Sequence, residues 1–236
     1  MKSINKIFQM SLLIYCVILS NLYGIENKKC SEQNKIKVLL VADDNYGSSF
    51  VAGDENTKSI KQQFEEFGWN MIISGVKDTL TPCDWGNQTY GTDKMIVTQK
   101  ISEIKNISEF SAIIILPGRG FPNLLNNTET ISLLKKANKD GLIVAAWCRG
   151  VRLLAAADII RGKTVIGHFD YFDDYETAGA NYIEYSFMWD NGKKIFQNVT
   201  PPIRDGNIIT TVRSLYYRNE MCQLIKVAVE ENVNGD

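Results

Sequence analysis

The sequence predicts an α/β fold: one three-layer domain in which a mainly parallel sheet is covered by helices on both faces. Three observations point there. Continuous apolar runs at residues 36–42, 112–116 and 142–146 read as strands buried on both sides. Segments with helical spacing lie between strands, as the crossover connections of a parallel sheet require. No internal repeat, low-complexity tract or Pro/Gly/Ser linker interrupts residues 35–232, which therefore read as a single domain.

Taken in order, the run 36–42 is the first strand, and an acidic, glycine-containing loop from Asp43 to Glu55 follows it. Ile60, Phe64 and Phe67 stand at i, i+4 and i+7, and Gly68 reads as the stop of that helix. Residues 69–76 are the next strand, and 77–100 read as a loop or small hairpin. The strand at 112–116 ends at Pro117-Gly118. A helix from about Glu129 has Thr128 or Asn127 as cap and Gly141 as stop. The strand 142–146 runs into a helix over 151–160, and a further strand spans 163–167. Asp205-Gly206 turns the chain into a strand at 207–212, and a helix over 217–231 closes the domain.

Composition bounds the chemistry. With 236 residues, 44% of them hydrophobic, the chain can bury a sizeable core. Its 26 basic and 27 acidic side chains give a formal charge of −1, with no electrostatic footprint for nucleic acid. The single histidine, His168, excludes His-rich metal sites and mechanisms needing two imidazoles. Five cysteines without a C-x-x-C pair exclude a zinc ribbon or a thioredoxin-type dithiol. Neither a metal nor a cofactor is expected.

The first residues read as an address. Lys2 and Lys6 precede an apolar run from about residue 10 to 19, half the roughly 20 residues a membrane-spanning helix needs. Polar sequence begins at Glu26. This layout predicts a signal peptide over about residues 1–24, a short N-terminal segment at 25–34, and a secreted, periplasmic or otherwise exported protein with no membrane insertion after cleavage. An uncleaved N-terminal anchor is the alternative. Export would permit one disulfide among Cys30, Cys83 and Cys222, a choice the sequence leaves open.

Parallel sheets place their sites at the carboxyl ends of their strands, so the residues after each strand are the candidates. Pro117-Gly118-Arg119-Gly120 follows one strand, Trp147-Cys148-Arg149-Gly150 another, and His168 a third. The second is the most informative. A nucleophile on a strand-to-helix turn is exposed by a tight, strained backbone, and the small residues Ala145, Ala146 and Gly150 suit such a turn. At a helix N-terminus the Cys148 thiol would be expected below the usual value of about 8.5. Backbone N–H groups there and in the Gly118–Gly120 turn could form an oxyanion hole. The plainer alternatives are a buried core cysteine and a histidine that merely ends a strand.

These residues resemble the ThiJ/PfpI family of the glutamine-amidotransferase-like superfamily. The resemblance rests on Ile113-Ile114-Ile115-Leu116-Pro117-Gly118, on Ala145-Ala146-Trp147-Cys148-Arg149-Gly150 and on the stretch from Ile159 through Gly162-Lys163 to His168, and extends over residues 36–230. It implies a flavodoxin-like sandwich with a cysteine nucleophile elbow, and a homodimer. It implies Cys148 as nucleophile, His168 as its histidine, and Gly118, Arg119 and Arg149 around the oxyanion. It further implies a carboxyl early in the first helix, in contact with the sulfur. Glu55 is the candidate, with Asp54 and Asp44 behind it. Peptidase-type members often carry His after the cysteine; Arg149 stands there instead, where it could hold the thiolate or an anionic substrate. The expected activity is that of a cysteine-dependent hydrolase or lyase on small carbonyl compounds. A redox-sensing or stress-binding protein, and an amidase, isonitrile-hydratase or peptidase-like hydrolase, are the competing readings.

Overall fold

The alternating faces of the first buried run set the middle layer of the molecule. A computed structural model describes residues 36–83 and 94–235. The strands along the chain are β1 (Lys37–Val41), β2 (Asn70–Gly75), β3 (Thr79–Leu80), β4 (Met95–Ile96), β5 (Gln99–Lys100), β6 (Ala112–Ile115), β7 (Ile143–Trp147), β8 (Thr164–Val165), β9 (Asn181–Tyr182), β10 (Ser186–Asp190), β11 (Lys193–Gln197), β12 (Ile203–Asp205) and β13 (Ile208–Thr211). The helices are α1 (Ile60–Glu66), α2 (Thr128–Lys139), α3 (Val151–Ala156), α4 (Phe172–Thr177) and α5 (Arg218–Asn234).

Seven strands form the main sheet in the order β12-β13-β7-β6-β1-β2-β5. All neighbours are parallel except the antiparallel edge pair β12–β13. Successive side chains of a strand point to opposite faces. Leu39, Val41, Ile113, Ile115 and Val144 accordingly pack with Leu134, Leu153 and Leu154 of α2 and α3. Val38, Leu40, Ile114, Ala145 and Ile209 pack with Ile60 and Phe64 of α1 and with Met221, Ile225 and Val229 of α5. The result is the flavodoxin-like α/β sandwich that the sequence predicts. The helix flagged by its capping residues, α2, starts where expected, and α1 carries a cap of its own. Ser59 and Gln62 form a reciprocal capping box on α1, and the Asn127 side chain accepts the Thr130 N–H at 2.8 Å at the start of α2; each such cap contributes about 1 kcal/mol.

Two elements differ from expectation. The helix after the elbow ends at Ala156 rather than near residue 160, because Asp158 turns into the left-handed region at φ 52°. The strand expected over 163–167 shrinks to β8, which pairs with β9 outside the main sheet. Its backbone donors explain this: the Thr164 N–H goes to the Asp205 carboxylate at 2.8 Å and the Ile166 N–H to the Thr210 hydroxyl at 3.0 Å, so side chains take the place of a ladder. The 77–100 region holds the small antiparallel pair β3–β4 and the edge strand β5.

Candidate active site

The segments after β1, β6, β7 and β13 come together at one edge of the sheet around a cavity of about 350 Å³. The strand order reverses between β1 and β6, and a crevice outside the carboxyl ends at such a reversal is where open α/β sheets bind ligands. Gly47-Ser48-Ser49, Ala52-Gly53-Asp54, Pro117-Gly118, Cys148-Arg149 and Arg213–Leu215 form the wall, with Cys83 and Arg218.

Cys148 stands directly after β7 with φ 53°, a left-handed conformation unusual for a side-chain-bearing residue. It is only 6% exposed and lines the cavity. The elbow is pressed against the neighbouring strand: a Cβ on Gly150 would stand 2.8 Å from Cγ2 of the fully buried Ile115. Burial is the largest influence on the thiol and pushes its pKa up. The guanidinium charges of Arg149 and Arg213, and the Arg149 N–H donated to the sulfur, pull it down, while Asp170 pushes it up. The expected downward shift is therefore reversed. The helix behind the elbow has six residues, and the sulfur is withdrawn from water.

His168 is 5% exposed, and its N–H donates to the Cys148 carbonyl at 3.3 Å, which ties the two candidate residues through the backbone. The ring stacks on Phe169 at 4.7 Å between centroids. Its Nδ1 accepts the Asp170 N–H at 3.3 Å and lies 3.3 Å from the Asp170 carboxylate. The neutral ring thus has a donor to face, and the protonated ring a counter-ion. The same Asp170 carboxylate lies 3.7 Å from Arg149 Nη2, so Arg149, Asp170 and His168 form one charged string beside the cysteine.

The carboxyl expected at the sulfur is placed differently. Glu55 is exposed and lines a separate shallow depression with Asn56, Thr57 and Lys58, because the loop carries it outward before α1 begins. Asp54 lines the Cys148 cavity, but it is engaged by Arg218 at 3.5 Å and by the Asn56 N–H at 3.1 Å. Asp44 is turned to Lys77 and to the Thr81 N–H, and these contacts keep its carboxyl below the usual range in spite of burial. The oxyanion set also changes. Gly118 lines the cavity, yet the Arg119 N–H is spent on the Asn45 carbonyl at 2.8 Å, where the chain after β1 crosses the turn as a short antiparallel bridge. Cys83 and Cys222 are both buried and are not joined to each other; Cys30 lies outside the described residues.

Three contributors were missed at the level of sequence. Asp170 carries the signal His-x-Asp, two residues after His168. Arg213 follows the strand at 207–212, where the strand-end rule would have found it. Cys83 has no local signal, since backbone contacts of residues 81–83 with the loop after β1 bring it to the cavity. Among the described residues no cluster of His, Cys, Asp and Glu could hold a metal ion.

The comparisons with known proteins agree with this fold. A deglycase of Thermococcus kodakarensis is 32% identical over 77 residues, which is 32% of this chain and 46% of that protein. An uncharacterized protein of Methanocaldococcus jannaschii is 31% identical over 143 residues, 59% of this chain and 62% of that one. The chain thus spans less than two thirds of the length of either relative. Among solved structures, the ThiJ/PfpI domain protein of Brachyspira murdochii superposes with a TM-score of 0.62 at 20% identity, over 86% of this chain and 99% of that one. Drosophila melanogaster DJ-1beta superposes with 0.61 at 14%, over 85% and 97%. The DJ-1/PfpI family model matches residues 54–224, from the cavity loop through the elbow and His168 into the last helix. By that match, over most of its length and including Cys148 and His168, the chain belongs to the DJ-1/PfpI family.

Proposed function

We propose that this protein is an exported cysteine-dependent hydrolase or lyase of small carbonyl compounds, acting in the manner of a glyoxalase or deglycase. The observation that carries the reading is Cys148 itself, held at φ 53° on the edge of a cavity whose wall includes Arg149 and Arg213. A strained elbow presents a nucleophile, and cations beside it favour thiolate and stabilise the alkoxide formed on attack. The thiolate adds to an aldehyde carbon, and the π electrons pass to oxygen, which takes a proton. His168, oriented by Asp170, carries protons between the sulfur-bound adduct and solvent. The likeness to a named deglycase supports the carbonyl class. Methylglyoxal supplied to the purified protein is expected to appear as lactate in the proton NMR spectrum; a sample that forms none contradicts the proposal.

A second reading is favoured by one observation: Cys83 lines the same cavity as the buried Cys148. Here Cys148 is an oxidisable sensor that ends as a sulfinic acid. Intact mass after mild peroxide tests it, and no oxygen gained at Cys148 removes it. The export part of the proposal rests on the N-terminal sequence pattern, and a homodimer is further proposed from the family resemblance.

A further inference from the structure

A second side chain near the elbow stands in a conformation that it disfavours. Phe121 has φ 53°. That region is uncommon for residues with a Cβ and a genuine outlier for a bulky one. Pro122 follows it, and a proline ring drives the residue before it towards extended conformations. A backbone so far from its preference persists only where its surroundings over-determine it, and such residues gather at functional sites. Phe121 is held from two sides. Its side chain is 1% exposed and belongs to the same core cluster as Ile115 and Val151. The turn after it is pinned to the end of β1. There the buried Asp43 carboxylate accepts the N–H groups of Asn123 at 2.8 Å and Leu124 at 3.0 Å, and the Asn123 side-chain amide at 2.6 Å.

The far end of the ring reaches the site. A Cβ on Gly118 would stand 3.4 Å from Phe121 Cζ, and a Cβ on Gly150 would stand 3.5 Å from the same atom. One ring carbon thus lies against the turn after β6 and against the elbow after β7, whose Gly118, Cys148 and Arg149 line the cavity. Neither glycine has a side chain to hold its segment off the ring. In a close-packed interior the ring itself therefore sets how far apart the two segments stand. We propose that Phe121 is a positioning residue whose ring is a wedge behind the Cys148 elbow, holding the sulfur at the cavity. The inference rests on Cys148 as the reacting group of the reading above, and it is independent of which carbonyl compound that group meets.

A shorter side chain at position 121 would leave space behind Gly150, and a core closes partly over such a space. The strained elbow relaxes into it, and the sulfur, only 6% exposed, withdraws from the cavity. Alkylation of Cys148 then slows even where the thiol is fully ionised. Deeper burial also raises the pH at which the thiol ionises, because an apolar surrounding disfavours the charged form. A residue that merely filled the core would lower stability and leave both properties of the thiol as they are.

The test is iodoacetamide alkylation of the full-length protein over a pH series. Mass spectrometry of the Cys148 peptide reads it, so that Cys83 and Cys222 do not contribute. Phe121→Leu is expected to lower the limiting rate at high pH by at least about tenfold, since a displacement of about 1 Å at a reacting group can cost about a hundredfold, and to raise the midpoint. Phe110→Leu is the control. It removes the same atoms from a ring 3% exposed in the same core cluster, beyond the amino end of β6 and away from the cavity. It should lower the urea midpoint and leave the rate and pH midpoint of Cys148 at their wild-type values. Phe121→Met, which keeps the reach of the side chain without the flat ring, should give an intermediate rate. A limiting rate in Phe121→Leu that is unchanged, faster, or lowered only as far as in Phe110→Leu overturns the wedge. If the leucine variant does not fold, Phe121→Met decides, and a rate equal to wild type overturns the wedge. No carbonyl compound enters this assay, so its outcome is separate from the presence or absence of lactate formation.

Discussion

Cys148 keeps a backbone conformation that its own side chain disfavours, at φ 53°. The left-handed region costs an L-residue about 1–2 kcal/mol, and glycine is exempt. Cys148→Ala and Cys148→Gly both delete the thiol, so their difference isolates the strain. Urea unfolding should find the glycine variant more stable by about 1 kcal/mol; equal stabilities would mean the elbow stores none. The thiol itself makes a second prediction. Burial raises its pKa and the two arginines oppose the rise. Loss of a proton is therefore postponed to higher pH, and alkylation by iodoacetamide should accelerate with a midpoint above the ordinary value of about 8.5. Removing the Arg213 charge should move that midpoint further up, and a midpoint below 8.5 in the wild type would contradict the balance described. At this scale the place of Cys148 in the fold was legible because it follows the fully buried strand β7, whereas the two-residue β8 ends three positions before His168. Glu55 stands away from the sulfur because the long loop between β1 and α1 carries it outward, which no local pattern reveals. The sign of the thiol shift was also illegible, since burial, its largest cause, depends on residues distant in sequence.

At the scale of elements, the close approach of the elbow to β6 depends on a missing side chain. Gly150→Ala should destabilise the domain by about 1–3 kcal/mol, because the added methyl meets Ile115 and not solvent. Urea unfolding beside a surface control reads this out. The β8 segment offers a pH-dependent test. The Asp205 carboxyl accepts the Thr164 N–H and the Lys163 ammonium, which hold its pKa below the usual carboxylate range. A depressed folded value means stabilisation that is present above the unfolded pKa of about 3.9 and lost as pH falls through the lower folded value. Asp205→Asn should therefore lower the urea midpoint at neutral pH and matter progressively less as the pH approaches about 3. A pH-independent loss would point to packing alone. The long buried strands and capped helices were legible from periodicity. The hairpin β10–β11 was not anticipated, although Asn191-Gly192 is a hairpin signal with φ 47° and 74°. Its first strand is almost wholly exposed and carries no alternation for a pattern to reveal. The six-residue helix α4 is too short to show a helical period.

At the scale of the whole molecule, the export proposal predicts a mature chain beginning near residue 25. N-terminal sequencing of protein recovered from outside the producing cell's cytoplasm tests this, and a chain that keeps Met1 and its apolar run would contradict cleavage. The fold gathers the ends of four strands at the reversal point of the sheet, where a basic wall surrounds a single strained thiol. The central claim is that this thiol, and not the surrounding charge, carries the chemistry. Parallel time courses of methylglyoxal consumption by the wild-type protein and by Cys148→Ala test it most directly. The account predicts consumption by the wild type and none above the buffer control by the variant; equal consumption by the two would contradict it.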